Sequence, residues 1–295
     1  MRQSGRVGIF GSFCAAALLA SSAGAAPPPL RMAVTDISGL EMLQAEFGKF
    51  RDALSAATGQ EVAFYPVSSR TAAVEAMRAQ RVDFVLTGPA EYVVFRKLAG
   101  ARPVVGFSRP DYYSAIVVLA DSGIHSLDQL KGKKVAFGPI GSTSDHLAPA
   151  QLLADAGLDP QRDVVATHID RNVAWEALKR GDVAAVALGY RKLVIVREKE
   201  KDLPPGAFRV IARGPDLPND VLVAGSHVPA EQVAKVRKVF VEHSAELVAA
   251  ILTGQENQKY VGMKFVANVD DGDYEYVRAM YRSIGRPQLA EFVGE

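Results

Sequence analysis

Cysteine is almost absent from this 295-residue chain: there is one, Cys14, and it sits inside an N-terminal apolar run. Beyond that run the chain gains nothing from disulfides, and thiolate catalysis and thiolate metal binding are excluded. Histidine is nearly as scarce. The five histidines are scattered, with no H-x-x-x-H or H-E-x-x-H spacing, so no metal centre is expected. An excess of either charge is missing too. Lys and Arg number 34 against 33 Asp and Glu, for a net charge of +1, which leaves no basic footprint for nucleic acid. There is no G-x-S-x-G elbow, and no glycine-rich loop runs into Gly-Lys-Ser or Gly-Lys-Thr, so neither a hydrolase nucleophile nor a cofactor motif is legible. The reading is of a protein that is not an enzyme and carries no cofactor. Its stability has to come from a core, which 48% hydrophobic residues can supply.

The N-terminus reads as an export signal. Arg2 and Arg6 form a short basic region, residues 8–20 are apolar but too short to span a bilayer, and Ala23-Gly24-Ala25 offers a small-residue cleavage site. Residues 1–25 are therefore expected to leave as a signal peptide, with the mature chain delivered to the periplasm. Loss of the two arginines takes the formal charge from +1 to −1.

Beyond residue 30, β-branched runs alternate with helical periodicity. RMAVT, EVAFYPV and VDFVLTG read as strands. An amphipathic helix over 40–59 separates the first two, and a helix capped by Ser69 separates the next two. A long extended stretch, PVVGFSRPDYYSAIVVLA, breaks the rhythm at Pro110 before it restarts with KKVAFG, DVVATHI, DVAAVAL, FRVIARG and DVLVAGSHV. From Pro229 a single long helix is expected to about Leu252, and a last one near DYEYVRAMYRSIG. Such alternation predicts an α/β fold with a mostly parallel sheet in each of two lobes. The expected boundaries are 26–111 for lobe 1, with 220–295 returning to it, and 112–219 for lobe 2.

One stretch holds more polar groups than local structure requires. In FGPIGSTSDHLAPAQLL a strand ends, two glycines turn the chain, and Ser142, Thr143 and Ser144 precede a helix. A cap uses one hydroxyl. Three hydroxyls at a helix start make a concave set of neutral donors where unpaired N–H groups already favour an anion. Pro149 should kink or restart the helix. Ser144-Asp145-His146 is no catalytic triad, because neighbours on a helix point about 100° apart.

The ordered series VDFVLTGPAEYV, PDYYSAIVV, SGIHSLDQLKGKKVAFGPIGSTSDHLAPAQLLADAGLDP, THIDRNVAWEALKRGDVAAVAL and PDLPND resembles the phosphate/phosphite/phosphonate periplasmic substrate-binding proteins of ABC importers over roughly residues 30 to 225. The resemblance implies a type II periplasmic binding protein that closes on its ligand about a hinge. Carried over residue by residue, it implies that Ser142, Thr143 and Ser144 bind the oxygens of a tetrahedral oxyanion, with Tyr112 donating to the same group. It also implies that His168 touches the ligand and that Asp220 lies near the site in a partly structural role. Read alone, His168 is more simply a structural histidine near a strand end.

This chain departs from the pattern of aminoalkylphosphonate binders. Arg70, or Ser69 beside it, stands where they carry a tyrosine, and Gly189 or Tyr190 stands where a glutamate receives the ammonium group. Asp145 follows the hydroxyl trio in place of glycine. Losing an acid and gaining an arginine favours a plainly anionic ligand, with Arg70 facing the trio, Tyr112 and His168 across the cleft. The expected function is capture of a small oxyanion such as phosphite, phosphate or a phosphonate for an ABC permease. The alternative is a sensory protein presenting phosphate or arsenate to a membrane histidine kinase.

Overall fold

A computed structural model describes residue 1, residues 27–204 and residues 206–288. The signal-peptide reading of 1–25 falls outside these residues, apart from Met1.

The chain folds into two sheets that share the cleft between them. The first half of lobe 1 runs β1 (Leu30–Val34), α1 (Leu40–Thr58), β2 (Val62–Phe64), α2 (Arg70–Arg78), β3 (Phe84–Thr87), α3 (Pro89–Ala99) and β4 (Arg102–Phe107). The chain then crosses to β5 (Ser114–Leu119), β6 (Lys134–Phe137), α4 (Ala148–Asp155), β7 (Val165–His168), α5 (Arg171–Lys179), β8 (Ala185–Gly189), α6 (Tyr190–Lys199) and β9 (Phe208–Arg213). It returns through β10 (Asp220–Ala224), α7 (Ala230–Glu242), α8 (Ser244–Ile251), β11 (Phe265–Val266) and α9 (Glu275–Ser283).

The strand orders are β11-β4-β10-β3-β1-β2 and β7-β6-β8-β5-β9. Within the first sheet β10 and β11 run against the other four strands, and within the second β5 runs against the other four. In both sheets most strands therefore point the same way, and the strand reached by each crossing, β5 or β10, is inserted in the interior antiparallel to its neighbours. Alternate residues of the central strands feed opposite faces, as the pleat requires. In β10, Leu222 and Ala224 join the core under α1 and α7, while Val221 and Val223 join the core under α2, α3 and α9. Likewise Ala115 and Val117 of β5 pack toward α5 and α6, and Ile116 and Val118 toward α4.

Local chemistry sets the helix boundaries. Ser69 caps α2 by accepting from the Ala72 N–H, Pro89 occupies the first position of α3, and Gly59 ends α1 in the left-handed region at φ 64°. The expected long C-terminal helix divides instead into α7 and α8 at His243, whose φ of −107° and ψ of 25° turn the axis. That break lets both segments pack on the same core, with Phe240, Leu247 and Ile251 all buried in it. Helix α6 follows Gly189 directly, and the apolar periodicity of YRKLVIVREK is too weak to have announced it.

Candidate functional site

The hydroxyl trio is placed by a proline further along the chain. Pro149 has no N–H, so the carbonyl four residues back, that of Asp145, has no helical partner. It accepts instead from the Gly138 N–H at 3.0 Å, folding the loop back onto the end of β6. Before α4 the chain makes one wide π-helical turn, Thr143–Leu147, in which the Ser142 carbonyl accepts from both His146 and Leu147 at 3.1 and 3.0 Å. The Ser142 hydroxyl caps this turn, accepting from the Asp145 N–H at 3.3 Å, and the Ser114 hydroxyl donates to the Ser144 carbonyl at 2.7 Å.

The three hydroxyls are not equivalent. Thr143 Oγ1 accepts from the Ala90 N–H at the start of α3, 3.1 Å away. Because Ala90 belongs to the first sheet's side and Thr143 to the second, this contact bridges the cleft. Ser144 Oγ donates to Asp145 Oδ1 at 3.0 Å. Asp145 itself turns away from the cavity into the lobe, where Oδ1 also accepts from the Gly189 N–H at 2.9 Å and Oδ2 pairs with the Lys192 ammonium. Burial pushes the Asp145 carboxyl up, but the Lys192 charge and these hydrogen bonds outweigh it and hold the group below the usual carboxylate range.

A cavity of about 500 Å³ opens at this point, at the C-terminal ends of the parallel strands of both sheets. Ser142, Thr143, Ser144, Tyr112 and Arg70 all line it. Tyr112 is buried, with the Arg109 guanidinium 3.5 Å above its ring centroid. Arg109 pairs with Asp220 at 3.2 Å, and Tyr260 donates to the same carboxylate at 2.6 Å. Arg109 loses solvation on burial, yet the Asp220 charge holds its pKa above the ordinary arginine value. Arg70, in the first turn of α2, ties Glu91 and reaches Asp36 at 3.2 Å. Lys259 grips the other side of Asp36 at 2.8 Å, and this charge, with that of Arg70, keeps the Asp36 carboxyl far below the carboxylate range. Glu91 is raised, because its burial outweighs the charge of Arg70.

One sequence-based expectation is corrected by this geometry. His168 does not face the cavity. It ends the edge strand β7, behind the 138–146 loop, with Nδ1 3.0 Å from the Gly138 carbonyl oxygen and its ring edge-on to His146 at 4.6 Å. The two histidines line a separate cavity of about 300 Å³ with Phe137. Asp220 lies near the cavity but behind Arg109, outside the lining, so it orients a cation in the structural role expected of it and does not itself present to a ligand.

Sequence reasoning missed Arg109, Lys192, Lys259, Asp36 and Asn257, which also line the cavity. Arg109 stands three residues before the PDYYS motif's first tyrosine, which was a usable signal. Lys259 and Asn257 come from a 3-10 turn, Glu256–Tyr260, pinned to α1 through Glu46: its Oε2 accepts from the Glu256 N–H, and its carbonyl accepts from Asn257 Nδ2, both at 2.9 Å. No local pattern marks that turn as part of a site. Among the described residues no cluster of three or more metal-ligating side chains occurs, and no helix is long and apolar enough to cross a membrane.

Comparison with known proteins agrees with this architecture. Residues 38–274 match the family described as ABC transporter, phosphonate, periplasmic substrate-binding protein. The phosphate-import protein PhnD of Mycolicibacterium smegmatis is 25% identical over 232 residues, covering 73% of this chain and 72% of that protein. A binding-protein component of an ABC phosphonate transporter from Pseudomonas aeruginosa superposes with a TM-score of 0.66 at 20% identity, covering 88% of both chains. A Xanthomonas citri protein solved bound to ATP superposes at 0.71 with 16% identity, covering 90% of this chain and 98% of that one. At these identities the two structural likenesses establish the two-lobed type II binding-protein fold.

Proposed function

We propose that this chain, which belongs to the periplasmic substrate-binding proteins of ABC phosphonate transporters, captures a tetrahedral phospho-oxyanion between its lobes and delivers it unchanged to a membrane permease. The observation that carries the reading is the meeting, in one cavity, of a hydroxyl-bearing helix start from the second lobe with Arg70 and Arg109 from the first-lobe side. We take the lobes as 26–111 with 220–295, and 112–219, joined at the crossings after β4 and before β10. A ligand touching both walls lowers the free energy of the closed form only, and so shifts the open–closed equilibrium toward it.

The ligand is read as plainly anionic. Two carboxylates of the cavity wall, the exposed Asp36 and the buried Glu91, are already held by Arg70 and Lys259, so neither is open to a ligand ammonium group. Glu256 lines the cavity only from an exposed position. No specific observation favours the sensory alternative over import.

A thermal-shift panel of phosphite, phosphate, methylphosphonate, aminoethylphosphonate and sulfate tests the proposal, since a ligand that binds only the folded state raises the melting temperature. A phospho-oxyanion should give the largest shift, aminoethylphosphonate a weak one, and the double variant Ser142→Ala, Ser144→Ala none. No response to any phospho-oxyanion, or an unchanged response in the double variant, overturns it.

A further inference from the structure

The hydrogen of each hydroxyl in the trio has a definite place to go. Ser142 Oγ accepts from the Asp145 N–H, which leaves its own hydrogen directed at the cavity. Thr143 Oγ1 accepts from the Ala90 N–H, and its own hydrogen is available to a ligand in the cavity it lines. Ser144 is the exception. Its partner Asp145 already takes the Lys192 ammonium and the Gly189 N–H, the arrangement of an ionised carboxylate, which can only accept. The Ser144 hydrogen is therefore committed to Asp145 Oδ1, and what this side chain offers the cavity is oxygen lone pairs.

We infer that Ser144, oriented by Asp145, is a hydrogen-bond acceptor that selects ligands carrying a P–O–H group: the singly protonated phosphonate or phosphate, in preference to its fully ionised form and to sulfonate or sulfate. The inference rests on the proposed oxyanion-binding function and deepens it. A ligand with its own hydroxyl keeps the Ser144–Asp145 bond and satisfies the serine lone pairs. A ligand with only acceptor oxygens either faces those lone pairs or pulls the serine hydrogen away from a buried carboxylate, losing a charge-assisted hydrogen bond.

Asp145 is sealed in its place. A Cβ on Gly138 would lie 2.5 Å from the Asp145 Cβ, and one on Gly189 would lie 2.9 Å from Ser144 Oγ and 3.5 Å from Asp145 Oδ1. The two glycines leave just enough room for the aspartate that follows the trio, and neither side admits a replacement partner.

The charges around the cavity do not reverse this preference. Each of its four cations has a carboxylate partner: Arg109 with Asp220, Arg70 with Glu91 and Asp36, Lys259 with Asp36, and Lys192 with Asp145. Glu256 adds a negative charge at the rim. The one further titratable group in contact is Tyr112, which burial keeps neutral well above the ordinary tyrosine range. No uncompensated positive charge remains to reward a ligand's second negative charge.

Calorimetry with methylphosphonate, from below to above its second ionisation, tests the inference, with methanesulfonate as a permanently ionised monoanion of similar shape. The wild-type affinity for methylphosphonate should fall as the second proton leaves, and methanesulfonate should bind more weakly than the protonated phosphonate, each by roughly tenfold or more, the worth of one charge-assisted hydrogen bond. Ser144→Ala, a small change in a folded loop, should flatten the pH profile and narrow the phosphonate–sulfonate gap. Binding that strengthens or holds constant on deprotonation, or a pH profile unmoved in Ser144→Ala, overturns this inference while leaving oxyanion capture standing. Failure of methylphosphonate to bind at any pH overturns both.

Discussion

Replacing Asp145 by alanine should destabilise the second lobe more than any change at an exposed position. The carboxylate is 3% exposed and takes three donors: the Gly189 N–H at 2.9 Å, the Ser144 hydroxyl at 3.0 Å and the Lys192 ammonium. Alanine leaves the Gly189 N–H buried without an acceptor, and removing one partner from a buried charged network typically costs about 3–5 kcal/mol. Lys192 is 35% exposed, so water replaces much of its share and the lower half of that range is expected. At about 2–4 °C per kcal/mol for a protein of this size, the melting temperature should fall by roughly 6–16 °C. Asparagine retains an acceptor for Gly189 and should cost about half as much. The chain's single tryptophan, Trp175, is 2% exposed in the core against α5 and α6. Its fluorescence during urea unfolding therefore reports on the lobe that contains Asp145. A loss of under about 1 kcal/mol in Asp145→Ala would refute the assignment of Asp145 as the residue that ties the trio's loop to β8 and α6.

Two other predictions concern the same region. Burial and the neighbouring His168 press the His146 pKa down to about 3, so the unfolded chain binds a proton that the folded one refuses. Stability should then fall by about 1.4 kcal/mol per pH unit on acidification below about pH 6.5, and His146→Asn, which keeps an acceptor for the Gly141 N–H, should remove that slope in urea titrations. Gly189 has an ordinary φ of −68°, so Gly189→Ala carries no backbone strain, but its methyl would meet Ser144 Oγ at 2.9 Å and Ser144 Cβ at 3.1 Å. Thermal melts should show a cost of about 1–3 kcal/mol from this overpacking, and calorimetry a weaker oxyanion response than wild type.

Much of the frame was legible in the chain because its signals are local. Ser69 announces α2, Pro89 opens α3 and Gly59 closes α1, each through groups within four residues. The surplus of hydroxyls at 142–144 was equally visible, since a cap explains only one of them. Other features depend on groups distant in sequence. The break at His243 lets α7 and α8 both pack on one core, an arrangement that apolar periodicity does not encode. His168 satisfied the family's order along the chain, but β7 is an edge strand that brings it to the back of the loop.

By itself the sequence determined the alternating α/β frame, the break in its rhythm at Pro110, and a donor-rich helix start suited to an oxyanion. These follow from hydrogen bonding and burial over a few residues, where composition dictates geometry. Only the tertiary structure decided what surrounds that helix start. Arg109 is held by Asp220 from 111 residues away, and Lys259 reaches Asp36 across 223. Asp145 is turned inward to Gly189 and Lys192, 44 and 47 residues on. The charge of a site and the direction of each hydroxyl hydrogen are set by partners the fold brings together, and no local pattern carries that information.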